Sequence, residues 1–315
     1  MTAPTNRRAI HRVQARAAGA PPRARVRRLL LGLGALLACL LPQAVAAQCR
    51  MAALAALPER AQLHWPASAG SPPLPLVLLL HGSTGTGAEM LRDSRLAETA
   101  DARGFAVVAP DGGIAGTRGF VWNIPGVPTV SGVMPAAGAR DDVAYLTGLI
   151  GRLVATGCVD ATRVYATGLS GGGRMASWLG CVVPGRFAAI APVVGLRAGR
   201  PRREDPTQPD PASCRPDVPL PVLAFAGDAD TTNPIGGGGA PYWRYPQAAA
   251  LQRWAALDGC TRAYARALDA RHYEQGYADC RNGTSVAVRV RRGGTHSWSV
   301  VDNDALWTFF AAYRR

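Results

Sequence analysis

The stretch Val164-Tyr165-Ala166-Thr167-Gly168-Leu169-Ser170-Gly171-Gly172-Gly173 constrains this chain more than any other. An apolar run of β type leads directly into Gly-x-Ser-x-Gly, and a helix-compatible segment, Arg174 to Leu179, follows. A serine at such a junction becomes a useful nucleophile only when a tight turn lifts it clear of its own backbone. That turn leaves no room for side chains two residues to either side, so Gly168 and Gly172 suit it sterically. A helix starting at Gly171 also aims backbone N–H groups, and its positive dipole end, at the place where an oxyanion would form. In a chain with 36 glycines the pentapeptide alone fits an ordinary glycine turn equally well. The strand before it and the helix after it favour the nucleophile.

The rest of the chain repeats the strand-then-helix pattern. Leu76 to Leu80, Phe105 to Ala109, Val164 to Thr167, Phe187 to Val194 and Val222 to Ala226 are apolar runs of strand length. Unbroken apolar strands suit a sheet covered on both faces. Between them, Asp93 to Ala102 predicts a helix stopped by Gly104. Asp141 or Asp142 caps a helix with Val143, Leu146, Ile150 and Leu153 on one face. Pro246 to Leu257 and Asp302 to Tyr313 predict two more helices, and Ser285 to Arg291 alternates like a strand. Such alternation defines an α/β class with a mostly parallel central sheet flanked by helices, in a single domain. Residues 116–139 lack periodicity and read as a surface loop over a site, and 198–219, rich in proline and charge, as a surface excursion.

A serine hydroxyl needs a base to take its proton and a carboxylate to orient that base. The strand Val222 to Ala226 runs into Gly227-Asp228-Ala229-Asp230, and Ser285 to Arg291 runs into Gly293-Gly294-Thr295-His296-Ser297-Trp298. The order Ser, Asp, His, each on a loop after a strand, is the order found in α/β-hydrolases. Local composition does not separate Asp228 from Asp230. The extra residues carry Asp230 past the strand end toward His296, which favours it, and Asp228 then suits the turn N–H groups. The loop after Leu76 to Leu80 would supply one oxyanion donor, Ser83 N–H, and Gly171 N–H the other. His81 in that loop reads as a stiffening residue; His64 and His272 are weaker candidates for the base. Trp122 and Trp298 are candidate substrate-binding residues, with burial in the core as the equal alternative for each.

Composition narrows the setting. Arg7 to Arg28 hold eight arginines and no acid, Leu29 to Leu41 is apolar, and Ala44-Val45-Ala46-Ala47 offers small residues for cleavage, so 1–47 reads as an export signal. The apolar run is too short for a stable membrane span. A lipoprotein anchor at Cys39 fits less well, because the residues after it stay apolar. A cleaved chain of 48–315 would be secreted or periplasmic. The formal charge of +14 then falls to +6, since 35 − 8 = 27 basic residues face 21 acidic ones. No basic run with interleaved aromatics remains, which excludes nucleic-acid binding as a reading. Cys49, Cys158, Cys181, Cys214, Cys260 and Cys280 make an even set, suited to disulfides, with fifteen connectivities open. No spacing suggests a metal site, and the chemistry implies no cofactor. A monomer is expected.

Taken together, these pieces resemble the exported poly(3-hydroxybutyrate) depolymerase/feruloyl esterase family of serine esterases. The matching motifs are Leu80-His81-Gly82, Asp141-Asp142-Val143, Arg163 to Gly172, Ala188 to Val193, Gly227 to Asp230 and Gly293 to Trp298. Members commonly carry His-Gly before the acid; Ala226 stands in place of that histidine here. The resemblance implies an α/β-hydrolase fold and ester hydrolysis through an acyl-enzyme on Ser170, with Asp230 and His296. It also implies the pairs Cys181–Cys214 and Cys260–Cys280, leaving Cys49 for Cys158. The family's acid stands three residues after the glycine, which points to Asp230. Expected substrates are small esters, hydroxyalkanoate oligomers, or feruloyl and acetyl esters of plant polysaccharide. The alternative from another class is a non-catalytic carbohydrate- or ligand-binding protein on the same fold.

Overall fold

The unbroken aliphatic runs take the middle of a nine-stranded sheet in the computed structural model, which describes residues 44–67 and 72–315. In chain order the elements are α1 (44–55), β1 (Ala61–His64), β2 (Leu74–Leu80), α2 (Gly87–Ser94), α3 (Leu96–Arg103) and β3 (Ala106–Pro110). A two-strand ribbon, β4 (Ile114–Ala115) and β5 (Phe120–Val121), precedes α4 (Asp142–Ala155), β6 (Val159–Leu169), α5 (Gly171–Val182) and β7 (Ala189–Val193). Then come β8 (Val222–Gly227), α6 (Gln247–Asp258), β9 (Arg262–Ala267), β10 (His272–Ala278), β11 (Val286–Arg291) and α7 (Asn303–Ala311). The sheet order is β1-β3-β2-β6-β7-β8-β11-β10-β9. Every pairing from β3 to β11 is parallel; β1, β10 and β9 add antiparallel edges.

Alternation inside an all-apolar strand feeds two cores. Leu76, Leu78 and Leu80 of β2 join Leu146 and Ile150 of α4, Met175 and Leu179 of α5 and Trp254 of α6 on one side of the sheet. Val77 and Leu79 join Met90 of α2, Leu96 of α3 and Phe310 of α7 on the other. Each such side chain contributes roughly 1.5–3 kcal/mol by leaving water. Asp141 is the residue that caps α4, accepting the Ala144 N–H at 3.0 Å, while Asp142 is buried and serves another purpose described below.

The structure departs from the sequence expectations at several points. The helix expected over 93–102 is two helices: α2 ends at Ser94, Arg95 turns left-handed with φ 53°, and α3 begins at Leu96 and closes at Gly104. The Ser94 hydroxyl accepts the Leu96 N–H at 3.3 Å across that break. The edge strand β9 was not anticipated, because it is arginine-rich and mostly exposed, without alternation. Residues 116–139 are not wholly a surface loop, since Val121, Trp122 and Ile124 are buried. The Ala/Pro-rich 50–72 region contributes half of α1 together with β1.

The disulfides join the pairs implied by the resemblance. Cys49–Cys158 fastens α1 beside β6, Cys181–Cys214 ties α5 to the 198–219 excursion, and Cys260–Cys280 bridges the ends of α6 and β10. Residues 1–43, including Cys39 and most of the expected leader, lie outside the described residues; Ala44 to Ala47 fall within α1. Among the described residues no helix is long and apolar enough to cross a membrane.

Candidate active site

Ser170 occupies the junction of β6 and α5 with φ 54° and ψ −109°, a strained conformation for a non-glycine residue. Holding a residue there costs on the order of 1–3 kcal/mol and persists only where its surroundings over-determine it. They do so here. The Ser170 N–H donates to the Val193 carbonyl at 2.9 Å, and the Ser170 carbonyl accepts the first helical bond from Arg174 N–H at 2.9 Å. A Cβ on Gly172 would strike the Leu80 carbonyl oxygen and lie 2.7 Å from that of His81, so the residue two past the serine is restricted to glycine by backbone contact.

The loops after β8 and β11 are built as one unit. Asp230 is 4% exposed. Its Oδ2 lies 2.8 Å from His296 Nδ1, while Oδ1 accepts the N–H groups of Thr232 at 2.9 Å and Asn233 at 2.8 Å. Facing that acceptor oxygen, His296 carries its proton on Nδ1, which leaves Nε2 with a lone pair. Asp228 is exposed and does not touch His296; its Oδ1 accepts the Gly293 N–H at 2.6 Å. The Ala229 N–H donates to the Gly294 carbonyl at 3.0 Å, so the two loops are pinned back to back. Ser170, Asp230 and His296 follow the parallel strands β6, β8 and β11, at the same edge of the sheet. Among the described residues Ser170 Oγ makes no hydrogen bond to His296 Nε2, an arm that often tightens only with substrate bound.

The loop after β2 meets the start of α5. A Cβ built on Gly171 would overlap the Ser83 hydroxyl and lie 3.0 Å from Ser83 N, so the two expected oxyanion donors are neighbours. His81 is 1% exposed and spends both ring nitrogens on backbone: Nδ1 donates to the Gly82 carbonyl at 2.7 Å, and Nε2 accepts the Gly112 N–H at 2.9 Å. Burial holds its pKa below the usual histidine value, against the opposing pull of the Gly82 carbonyl. It stiffens the loop as expected. Asp142, fully buried, accepts Gly113 N–H at 3.0 Å and Asn123 N–H at 2.8 Å and pairs with Arg140, tying the segments that support His81.

Trp122 is 4% exposed, stacks on His81 with ring centroids 4.7 Å apart, and donates Nε1–H to the His81 carbonyl at 2.8 Å. It braces the loop after β2 from within the core. Trp298 bonds Asn303 Oδ1 at 3.0 Å, and its exposed edge faces a groove with Ser94, Arg95 and Glu98. His64 and His272 pair with Asp101 and Asp269 away from the serine. What the sequence reading missed is a small, partly open pocket lined by Ile124, Val127, Arg174, Trp178, Arg197 and Tyr242 among others. Arg174, four residues after Ser170 on α5, was the available signal. A buried arginine is indistinguishable in sequence from a solvated one.

A mostly parallel sheet crossed by helices, with a serine on a strained strand-to-helix turn, defines an α/β-hydrolase fold. Residues 60–203 match the Esterase PHB depolymerase family. Feruloyl esterase B of Piromyces equi is 28% identical over 234 residues, covering 72% of this chain and 40% of that protein. The poly(3-hydroxybutyrate) depolymerase of Ralstonia pickettii is 31% identical over 149 residues, covering 44% of this chain and 28% of its own length. The chain thus spans less than half the length of these relatives. The acetyl xylan esterase from Aspergillus awamori superposes with a TM-score of 0.57 at 17% identity, over 80% of this chain and 93% of its own, a likeness of fold.

Proposed function

We propose that this chain is an exported serine carboxylic-ester hydrolase. The observation that carries the reading is the buried Asp230–His296 pair at the sheet edge that also holds the strained Ser170. His296 Nε2 takes the Ser170 Oγ proton as Oγ attacks the ester carbonyl carbon. The carbonyl π electrons move to oxygen, and the resulting oxyanion is held by the N–H groups of Ser83 and Gly171. Collapse of the tetrahedral species breaks the C–O bond to the alcohol, which leaves with the proton from His296. Water, deprotonated by His296, then attacks the acyl-enzyme, and the reverse proton transfer frees Ser170 and the acid.

The proposed substrates are hydroxyalkanoate oligomers and feruloyl or acetyl esters of plant polysaccharide; the names of the matching family and of one relative support the hydroxybutyrate and feruloyl choices. Three disulfides support an oxidising compartment, secreted or periplasmic. A fluorophosphonate should label Ser170, and Ser170→Ala should lower kcat by on the order of 10⁶ on p-nitrophenyl esters, methyl ferulate, acetylated xylan or hydroxybutyrate oligomers. Labelling elsewhere, or activity retained in Ser170→Ala, overturns the reading.

A further inference from the structure

The pocket beside the oxyanion loop holds two guanidinium groups in an unusual state. Arg174 is 5% exposed, donates Nη2–H to the Ser83 hydroxyl at 3.3 Å, and lies 4.1 Å from the Tyr242 ring centroid; its Nε has no partner. Arg197, on the segment after β7, is 7% exposed. Its Nη1 donates to the Tyr245 carbonyl at 2.6 Å and its guanidinium stacks 3.2 Å from the Trp243 ring centroid, yet Nε and Nη2 are both unpartnered. Among the described residues neither arginine forms an ion pair. Burial lowers each to about 10, which still leaves both charged at neutral pH.

A buried cation without a carboxylate is costly, and the aromatic faces under these arginines offset only the charge, not the in-plane N–H donors. On Arg197 the free donors are Nε and Nη2, the adjacent edge that meets a carboxylate with two parallel hydrogen bonds. Both side chains line the same pocket, and Arg174 begins one helical turn, about 6 Å, beyond Ser170. We infer that Arg174 and Arg197 form a carboxylate-binding subsite, so that the preferred ester carries a free acid a few bonds from the carbonyl under attack. The acid could be the free end of a hydroxyalkanoate oligomer or a uronate; the chemistry recognised is the same. This inference rests on the esterase reading for its consequence in catalysis, not for the binding itself.

The test compares kcat/KM for the 3-hydroxybutyrate dimer with its free acid against the same dimer capped as an amide, and for acetylated galacturonate against acetylated galactose. p-Nitrophenyl acetate serves as the neutral reference. At least one acid should be preferred by about tenfold or more, chiefly through KM, with the advantage shrinking as salt rises. Whichever arm shows the preference identifies the source of the carboxylate. Arg197→Gln and Arg174→Gln should bring the acid-to-neutral ratio toward one. In case a variant fails to fold, glutarate binding to the wild-type protein is measured by calorimetry, with glutaramide as control and no turnover required. Salt-sensitive glutarate binding, with none for the diamide, supports the subsite even if no ester is cleaved, in which case the esterase reading alone falls. Equal treatment of acid and neutral partners in both arms, with no glutarate binding, overturns the subsite while the esterase reading stands.

Discussion

Replacing Asp230 by asparagine tests the site more sharply than deleting it, because the structure decides which way the new amide must face. Oδ1 of Asp230 receives two backbone N–H groups, from Thr232 and Asn233, whereas Oδ2 receives one, from His296 Nδ1. An amide turned with NH₂ toward the backbone would oppose two donors in a buried position, at about 1–3 kcal/mol for each group left unsatisfied. The oxygen therefore stays on the backbone side and NH₂ faces His296. Nδ1 must then accept rather than donate, the ring proton moves to Nε2, and the nitrogen that should take the serine proton no longer can. The expected loss in kcat is on the order of 10⁴, equivalent to about 5.5 kcal/mol of barrier. The melting temperature should change little, since the backbone bonds survive. Asp228→Asn is the internal control: its carbonyl oxygen can still accept the Gly293 N–H, so activity should stay near wild type with at most about 1 kcal/mol of stability lost. Steady-state kcat on a p-nitrophenyl ester and thermal melts on both variants decide the matter. A well-folded, inactive Asp228→Asn beside an active Asp230→Asn would refute the assignment of the acid while leaving the hydrolase reading in place.

Three further outcomes are expected. Gly171→Ala would push a methyl group into the Ser83 hydroxyl, so kcat should fall by about 10²–10³ with a modest change in melting temperature; unchanged kcat would separate Ser83 from the oxyanion site. Burial raises the fully buried Asp258 to about 6, so it favours the protonated fold: its contribution is complete below the unfolded value near 3.8 and is lost as pH rises through about 6. Asp258→Asn should therefore raise stability at pH 7–8 by up to about 3 kcal/mol and flatten the profile between pH 4 and 7, and denaturant titrations across that range showing no such flattening would count against it. Loop closure ranks the disulfides by sequence separation, 20, 33 and 109 residues, at about 3, 4 and 5 kcal/mol in the chain-entropy model. Paired serine substitutions should cost most stability at Cys49–Cys158 and least at Cys260–Cys280; the reverse order in equilibrium unfolding would show that native-state strain or residual structure dominates.

What could be read from the residues was whatever a single strand or turn states for itself. Leu76 to Leu80 announces a strand covered on both faces because every position is aliphatic, and β2 is buried at each of its residues. Asp141 or Asp142 reads as the cap of α4, and Asp141 is the one whose side chain caps it. The break at Arg95 was invisible, since nothing in Ser94-Arg95-Leu96 resembles a glycine or proline stop; a left-handed arginine there depends on the packing of Ser94 and Leu96. Trp122 looked equally suited to a pocket and to the core. Its indole N–H found the His81 carbonyl, a partner set by tertiary contact alone.

The same distinction separates the legible part of the site from the hidden part. Order along the chain and position after a strand were enough to nominate Ser170, His296 and the turn that holds Asp228 and Asp230, because parallel strands deliver their carboxyl ends to one edge. How closely the loops meet depends on glycines that face other backbones: a Cβ on Gly227 would strike the Gly294 carbonyl, and one on Gly171 would strike Ser83. Such contacts let the acid and histidine loops share hydrogen bonds across 66 residues of sequence. A glycine in a turn carries no mark of which backbone it faces. An arginine carries no mark of whether water or protein surrounds it, which is why Arg174 and Arg197 became visible only once Tyr242, Trp243 and Tyr245 were seen packed around them.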